Sequence, residues 1–174
     1  MKYLGFVLSE CGYKPDPSKV HAIVSAPAPL NAQQVKSFLG MASFYHNFIP
    51  NFASVACHLY DLTKSKIKFS WTNEAQQAFD SLKSNIKDAV FLSKFDPDAT
   101  MIVEVDASPI GVGGVLYGKN STGEISTLCF ASKKLSPAEQ NYAHIDREAL
   151  AIIFAINRFS NFWIQIYRRQ LAHD

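Results

Sequence analysis

The spacing of apolar residues changes once along the chain, in the turn Asp96-Pro97-Asp98, and this change limits the possible folds more than any other feature. Before the turn the spacing is helical. Val20, Ile23 and Val24 form one apolar face, and Val35, Phe38, Leu39, Ala42 and Tyr45 form a second. Phe52, Val55, Ala56, Leu59 and Leu62 form a third, and Ala75, Ala78, Phe79, Leu82 and Ile86 a fourth. After the turn, residues 100–106, 112–118 and 125–131 read as three strands in meander order, punctuated by Gly111, Gly118 and Gly123. Beyond Ser136-Pro137 the helical spacing returns. Ala149, Leu150, Ile152, Ile153, Ala155, Ile156 and Phe159 then make a face apolar enough to need a sheet over it. Helices, three strands and a long helix together define an α+β fold.

Local punctuation agrees with this division. Residues 3–8, Tyr-Leu-Gly-Phe-Val-Leu, read as one extended strand closed by Gly12 and Pro15. Asp16-Pro17 offers an N-cap with Pro at the first helical position, and Pro27 and Pro29 stop that helix. Asn31 with Gln34 makes a capping-box-like start for the next helix, which the spacing carries toward Pro50.

At 174 residues, 48% hydrophobic and 18% charged, the chain can bury a core, and disordered and collagen-like classes are excluded. No apolar run approaches the roughly 18 to 20 residues of a membrane span, and the start lacks the pattern of a secretory signal. Cys11, Cys57 and Cys129 are odd in number and lack any CxxC, so neither a disulfide framework nor a zinc site is expected, and an intracellular setting is. Net charge is +2 but uneven, with +4 on residues 1–95 and −2 on residues 96–174, which divides the chain into two functional halves.

Two carboxylates carry candidate chemistry. Asp106 ends the first strand of the second half, in Val-Glu-Val-Asp-Ala-Ser, and Glu148 shares its side of the long helix with Ala151 and Ile152, facing the sheet. Carboxylates converging from a strand and a helix begin a hard-cation site, because magnesium takes oxygen ligands. Hydrolysis of a phosphodiester by two metal ions needs more than two carboxylates. The plainer reading has Asp106 capping the turn before Ser108-Pro109 and Glu148 solvated at the helix start. Glu104 shares a strand face with Asp106.

Seven segments in order then identify a resemblance. They are Tyr-Leu-Gly-Phe-Val-Leu-Ser at 3–9, Asp-Pro-Ser-Lys-Val-His-Ala-Ile at 16–23, Val-Lys-Ser-Phe-Leu-Gly-Met at 35–41 and Phe-Tyr-His-Asn-Phe-Ile at 44–49. The others are Phe-Ser-Trp-Thr-Asn-Glu-Ala-Gln-Gln-Ala-Phe at 69–79, Val-Asp-Ala-Ser at 105–108 and Asn-Tyr-Ala-His-Ile-Asp-Arg-Glu-Ala-Leu-Ala-Ile at 141–152. The chain resembles the Pol polyprotein of gypsy-type long-terminal-repeat retrotransposons, from the end of the reverse transcriptase into its ribonuclease H.

The resemblance implies that residues 1–15 end the polymerase palm, that 16–95 form a mainly helical thumb and connection, and that 96–174 form an incomplete ribonuclease H-like sheet domain. Leu4, Gly5 and Phe6 fall on the family's primer grip. Lys64, Lys66 and Lys68 alternate along one short segment, so an extended backbone would point all three at phosphates, or would guard a sheet edge. Asp106 and Glu148 match the first two of four carboxylates that hold two magnesium ions against an RNA–DNA hybrid. Asp174 falls near the third, without its flanking residues, and the fourth has no counterpart. The paired polymerase aspartates also have none. The expected function is therefore that of a truncated reverse transcriptase/ribonuclease H piece, inactive alone, whose partners are an RNA–DNA hybrid or template–primer duplex and the rest of Pol, with no membrane. The alternative is a non-catalytic nucleic-acid-binding remnant or co-opted module.

Overall fold

The computed structural model describes residues 1–65 and 68–171. The chain opens with a hairpin, where the sequence pattern led to a single strand. Strands β1 (Lys2–Tyr3) and β2 (Phe6–Leu8) pair antiparallel about Leu4 and Gly5, whose φ angles are 45° and 83°. Positive φ at both central residues is what a tight two-residue hairpin requires, and a run of apolar residues hides it. Gly12 and Pro15 bound a further strand, β3 (Gly12–Pro15), which pairs with β2 and takes β4 (Leu92–Ser93) on its other side.

The helices lie close to where capping and spacing placed them. Asp16 caps α1 (Pro17–Val24), accepting from Ser18 N and Lys2 Nζ, each at 3.0 Å. These bonds hold its carboxyl below the usual range, the Ser18 amide contributing most. Asn31 caps α2 (Ala32–Ser43), accepting from Gln34 N at 2.9 Å. The second helix stops short of Pro50, giving way to a 3-10 turn at His46–Phe48. The third apolar face divides between two short helices, α3 (Phe52–Val55) and α4 (Cys57–Asp61). Thr72 caps α5 (Asn73–Lys87), and all five apolar residues expected on its inner face are buried. These faces close on one core with Val35, Phe38, Leu39, Phe79, Leu82 and Ile86 at its centre, where a fully buried side chain is worth about 1.5–3 kcal/mol.

The second half is a meander of β5 (Thr100–Ala107), β6 (Gly111–Lys119) and β7 (Ile125–Lys134), followed by α6 (Pro137–Gln140), α7 (His144–Arg158) and α8 (Ser160–Leu171). Helix α7 covers one face of the sheet, but not with the face its sequence favoured. Ala151, Ala155 and Phe159 are buried, whereas Ile152, Ile153 and Ile156 are 50%, 57% and 54% exposed. Small residues set this rotation. A Cβ on Gly114 would stand 3.4 Å from Ala155 Cβ, so the helix seats closely only by its alanines. Among the described residues no single helix is long and apolar enough to cross a membrane.

Strand β7 joins the two layers. Cys129 and Ala131 turn toward α7, while Phe130 packs against the helical core and Ser132 Oγ accepts from Ala53 N at 2.9 Å. Burial pushes the Cys129 thiol up to about 11, and all three cysteines are free. On the edge of this sandwich, Arg158 Nη2 lies 3.0 Å from His46 Nε2, linking α7 to the 3-10 turn.

Two glycines give contrasting predictions. Gly12 has φ 154° and a Cβ there would overlap Leu92 O, so Gly12→Ala is expected to cost about 2–4 kcal/mol. Gly40 has nothing within 4 Å of such an atom on its exposed helix face, so Gly40→Ala should gain about 0.5–1 kcal/mol. Urea unfolding midpoints of the two variants check both signs.

Candidate functional site

The face of the sheet away from α7 holds the candidate site. Asp106 stands opposite Gly113, and Gly113 opposite Ser132, so these three residues form one row across the sheet. Val103, Val105 and Ala107 pack under α7, and strand alternation turns Glu104 and Asp106, both exposed, to the other side. Helix α3 and the residue before it cover that side of β6 and β7. Asn51, at φ 50°, lies against Gly113, where a Cβ would overlap its Oδ1. Strand β5 stays uncovered, leaving a shallow groove of 180 Å³ lined by Pro50, Asn51, Glu104, Asp106, Gly113 and Phe130, among others.

The turn after Asp106 is tightly held. Ser108 Oγ accepts from Gly111 N at 3.0 Å and donates to Gly111 O at 2.9 Å, so the end of β5 is fixed against the start of β6. The Asp106 side chain makes no hydrogen bond or ion pair among the described residues, which leaves its carboxylate available to a ligand. Glu148 lies one turn before Ala151 on α7, half-buried, with His144 Nε2 3.6 Å from its Oε1. Ile152, which was to share Glu148's inward side, is exposed. Asp174 lies outside the described residues.

No group of three or more His, Cys, Asp and Glu among the described residues is arranged to hold a metal ion. A centre of two magnesium ions has to be bridged and flanked by more carboxylates than Asp106 and Glu148 supply, so the described residues do not fit one by themselves.

The nucleic-acid candidates separate by environment. Leu4 is 70% exposed at the hairpin tip. Gly5 is accounted for by its positive φ and by the Phe44 ring, which a Cβ would meet at 3.2 Å. Phe6 is half-buried in an aromatic cluster, 5.0 Å from Phe44 and 5.7 Å from Phe48 between ring centres. Lys64 follows the turn after α4 and pairs with Asp61 at 2.7 Å, Lys68 is exposed on irregular backbone, and Lys66 lies outside the described residues.

Sequence reasoning passed over Asn51 and Ser132. The available signals were Asn after Pro before a short helix, a pattern that tolerates a left-handed backbone, and paired glycines at 113 and 114, which mark close approach on both faces of a strand.

A three-stranded antiparallel meander with an alanine-faced helix on one side and an aspartate on the other defines a ribonuclease H-like α+β module, here built onto a helical layer. The family model for the RNase H-like domain found in reverse transcriptase matches residues 71–169, and the chain belongs to that family. The Tf2-3 and Tf2-4 transposon polyproteins of Schizosaccharomyces pombe are each 28% identical to it over 162 residues, 93% of this chain. The chain spans 12% of the length of those relatives. Among solved structures, a foamy viral protease-reverse transcriptase in complex with an RNA/DNA hybrid shares the fold, with a TM-score of 0.78 at 22% identity over 93% of this chain and 22% of the other. The foamy viral protease-reverse transcriptase in complex with dsDNA gives 0.79, again at 22% identity, over 92% of this chain and 34% of the other. The fold class and the retrotransposon Pol relationship read from the sequence both hold.

Asp106→Asn should leave the unfolding free energy within about 0.5 kcal/mol of the parent, because an exposed carboxylate without a partner contributes little to stability. Ser132→Ala should cost about 1 kcal/mol by removing the acceptor for Ala53 N. Denaturant titration of both variants distinguishes a residue kept for binding from one kept for structure.

Proposed function

We propose that this chain is the part of a retroelement Pol protein that seats a nucleic-acid duplex, an RNA–DNA hybrid or a template–primer, along the face carrying Asp106. Residues 1–15 act as the end of the palm, 16–95 as the thumb and connection, and 96–174 as the ribonuclease H-like part. The observation that carries the reading is the uncovered strand β5: α3 clasps β6 and β7 on the Asp106 side and leaves Asp106 open beside Asn51. The duplexes bound by the solved foamy viral structures of this fold support the choice of ligand.

The parent activity is hydrolysis of the RNA strand with magnesium, in a protein that also copies RNA into DNA. Asp106 and Glu148 are the residues of this chain that would serve it. Because the described residues do not assemble a two-ion centre, the chain binds without cleaving, and turnover calls on carboxylates from the rest of the polyprotein. The setting is intracellular, where the three thiols stay reduced.

The test is fluorescence anisotropy of a labelled RNA–DNA hybrid across a salt series, with the RNA strand examined on a gel after incubation with magnesium. The reading expects binding whose logarithm falls linearly with log salt, and intact RNA. Absence of salt-dependent binding contradicts it. Magnesium-dependent cleavage that disappears in Asp106→Asn contradicts the binding-only part and makes this chain a nuclease.

A further inference from the structure

The apolar face of α1, formed by Val20, Ile23 and Val24, is only partly consumed by the core. Ile23 is buried, whereas Val20 and Val24 are half-buried. Helical spacing sets Pro17, Val20, His21 and Val24 along one side of α1, at i, i+3, i+4 and i+7. That side is one wall of a cavity of 420 Å³. Lys14 and Pro15 of β3 make the second wall, and Ile86, Lys87 and Ala89, at the end of α5 and just beyond it, make the third. Its floor is apolar, since Pro15 and Ile86 are buried there, and neither Pro15 nor Pro17 carries a backbone donor. The cavity shares no lining residue with the groove at Asp106.

The charges around this floor have one sign. Lys14, Lys87 and His21 line it, and no carboxylate does. None of these three side chains makes a hydrogen bond or ion pair among the described residues. The acids next to it in sequence are committed, Asp16 to Ser18 and Lys2, and Asp88 to Ser84 Oγ at 3.1 Å. By contrast, the cavities at Asp106, at Asp61 with Glu139, and at Asp96 with Glu124 all carry carboxylates, and the cavity at Tyr13 has a single lysine.

Two ammonium groups and an imidazole about an apolar floor select a ligand that is acidic and aliphatic at once. A polynucleotide backbone would answer the lysines and leave Val20, Val24 and Ile86 without an apolar partner. An uncharged chain would fill the floor and leave the lysines unanswered. The groove is also open along its length, whereas a small-molecule site encloses about 70% or more of its ligand, so it suits a peptide lying across it.

We infer that the groove between α1, β3 and the end of α5 docks an acidic, aliphatic peptide segment of a partner protein. Leucine or isoleucine side chains enter between Val20, Val24 and Ile86, and aspartate or glutamate side chains meet Lys14 and Lys87 at the rim. His21 offers a ring nitrogen to the peptide backbone or to a carboxylate. Lysine acts as a point charge, so the site reads acidity and accepts either acidic residue. A contact of this size belongs with transient interfaces, with a Kd of about 10–100 µM.

The test is selection from a displayed random heptapeptide library on the intact chain, with counter-selection on the Lys14→Gln/Lys87→Gln double variant. Enriched peptides should combine Asp or Glu with Leu or Ile, and a labelled member should bind the chain in fluorescence anisotropy. Lys14→Gln and Lys87→Gln should each weaken that binding about threefold to fivefold, and added salt should weaken it further. Val24→Ser should weaken it by a similar factor through the floor, while Lys119→Gln, an exposed charge at the far end of β6, should leave it unchanged. Circular dichroism melting checks that every variant folds. Failure to enrich acidic, aliphatic peptides overturns the inference, as does binding that the two lysine variants leave unchanged. Lysine variants that lose affinity for an RNA–DNA hybrid, with no peptide enriched, would also overturn it and give the groove to the duplex.

Discussion

The close approach of residues 51–55 to the back of β6 and β7 is the contact on which the rest of the structure depends. It is possible because Gly113 has no side chain where Asn51 lies, and it is pinned by the Ala53 N to Ser132 Oγ bond of 2.9 Å. Without it, β7 would have one packed face and one exposed. With it, Phe130 enters the helical core while Cys129 and Ala131 stay under α7, and two layers of different periodicity share one strand. The same contact shapes the candidate site, since it covers two strands of the meander and leaves the third, with Asp106, open.

Binding and catalysis separate along that geometry. The groove beside Asp106 offers an amide and a short run of backbone to a ligand, while the carboxylate itself meets a phosphodiester only through a cation. Moving a phosphodiester through a two-metal step asks for a denser set of oxygen ligands, and the neighbour of Glu148 is the His144 ring, 3.6 Å away.

Much of this was legible in the sequence where one local rule acted alone. The caps at Asp16 and Asn31, the inner face of α5 and the order of the three strands follow from side chains a few residues apart. The failures came where a distant partner decided the outcome. The Tyr3–Leu8 run became a hairpin because two residues take positive φ and the strand that follows completes the sheet. The isoleucines of α7 turned outward because Gly114 rewards an alanine contact that helical periodicity does not record. Asp106 and Glu148 stand on the strand and the helix that the sequence pattern gave them, whereas Asn51 and Ser132 acquire meaning only once residues far apart in the chain are in contact, 79 apart for Ala53 and Ser132.

Native-state hydrogen exchange tests the central claim, that the helical layer and the sheet form one cooperative body through this contact. Amides of Leu82 in α5 and Leu116 in β6 should exchange with the same free energy of opening, equal to that of global unfolding, and should converge as denaturant is added. A lower opening energy for Leu116, with Leu82 still fully protected, would show the sheet unfolding independently of the helices and would contradict the account.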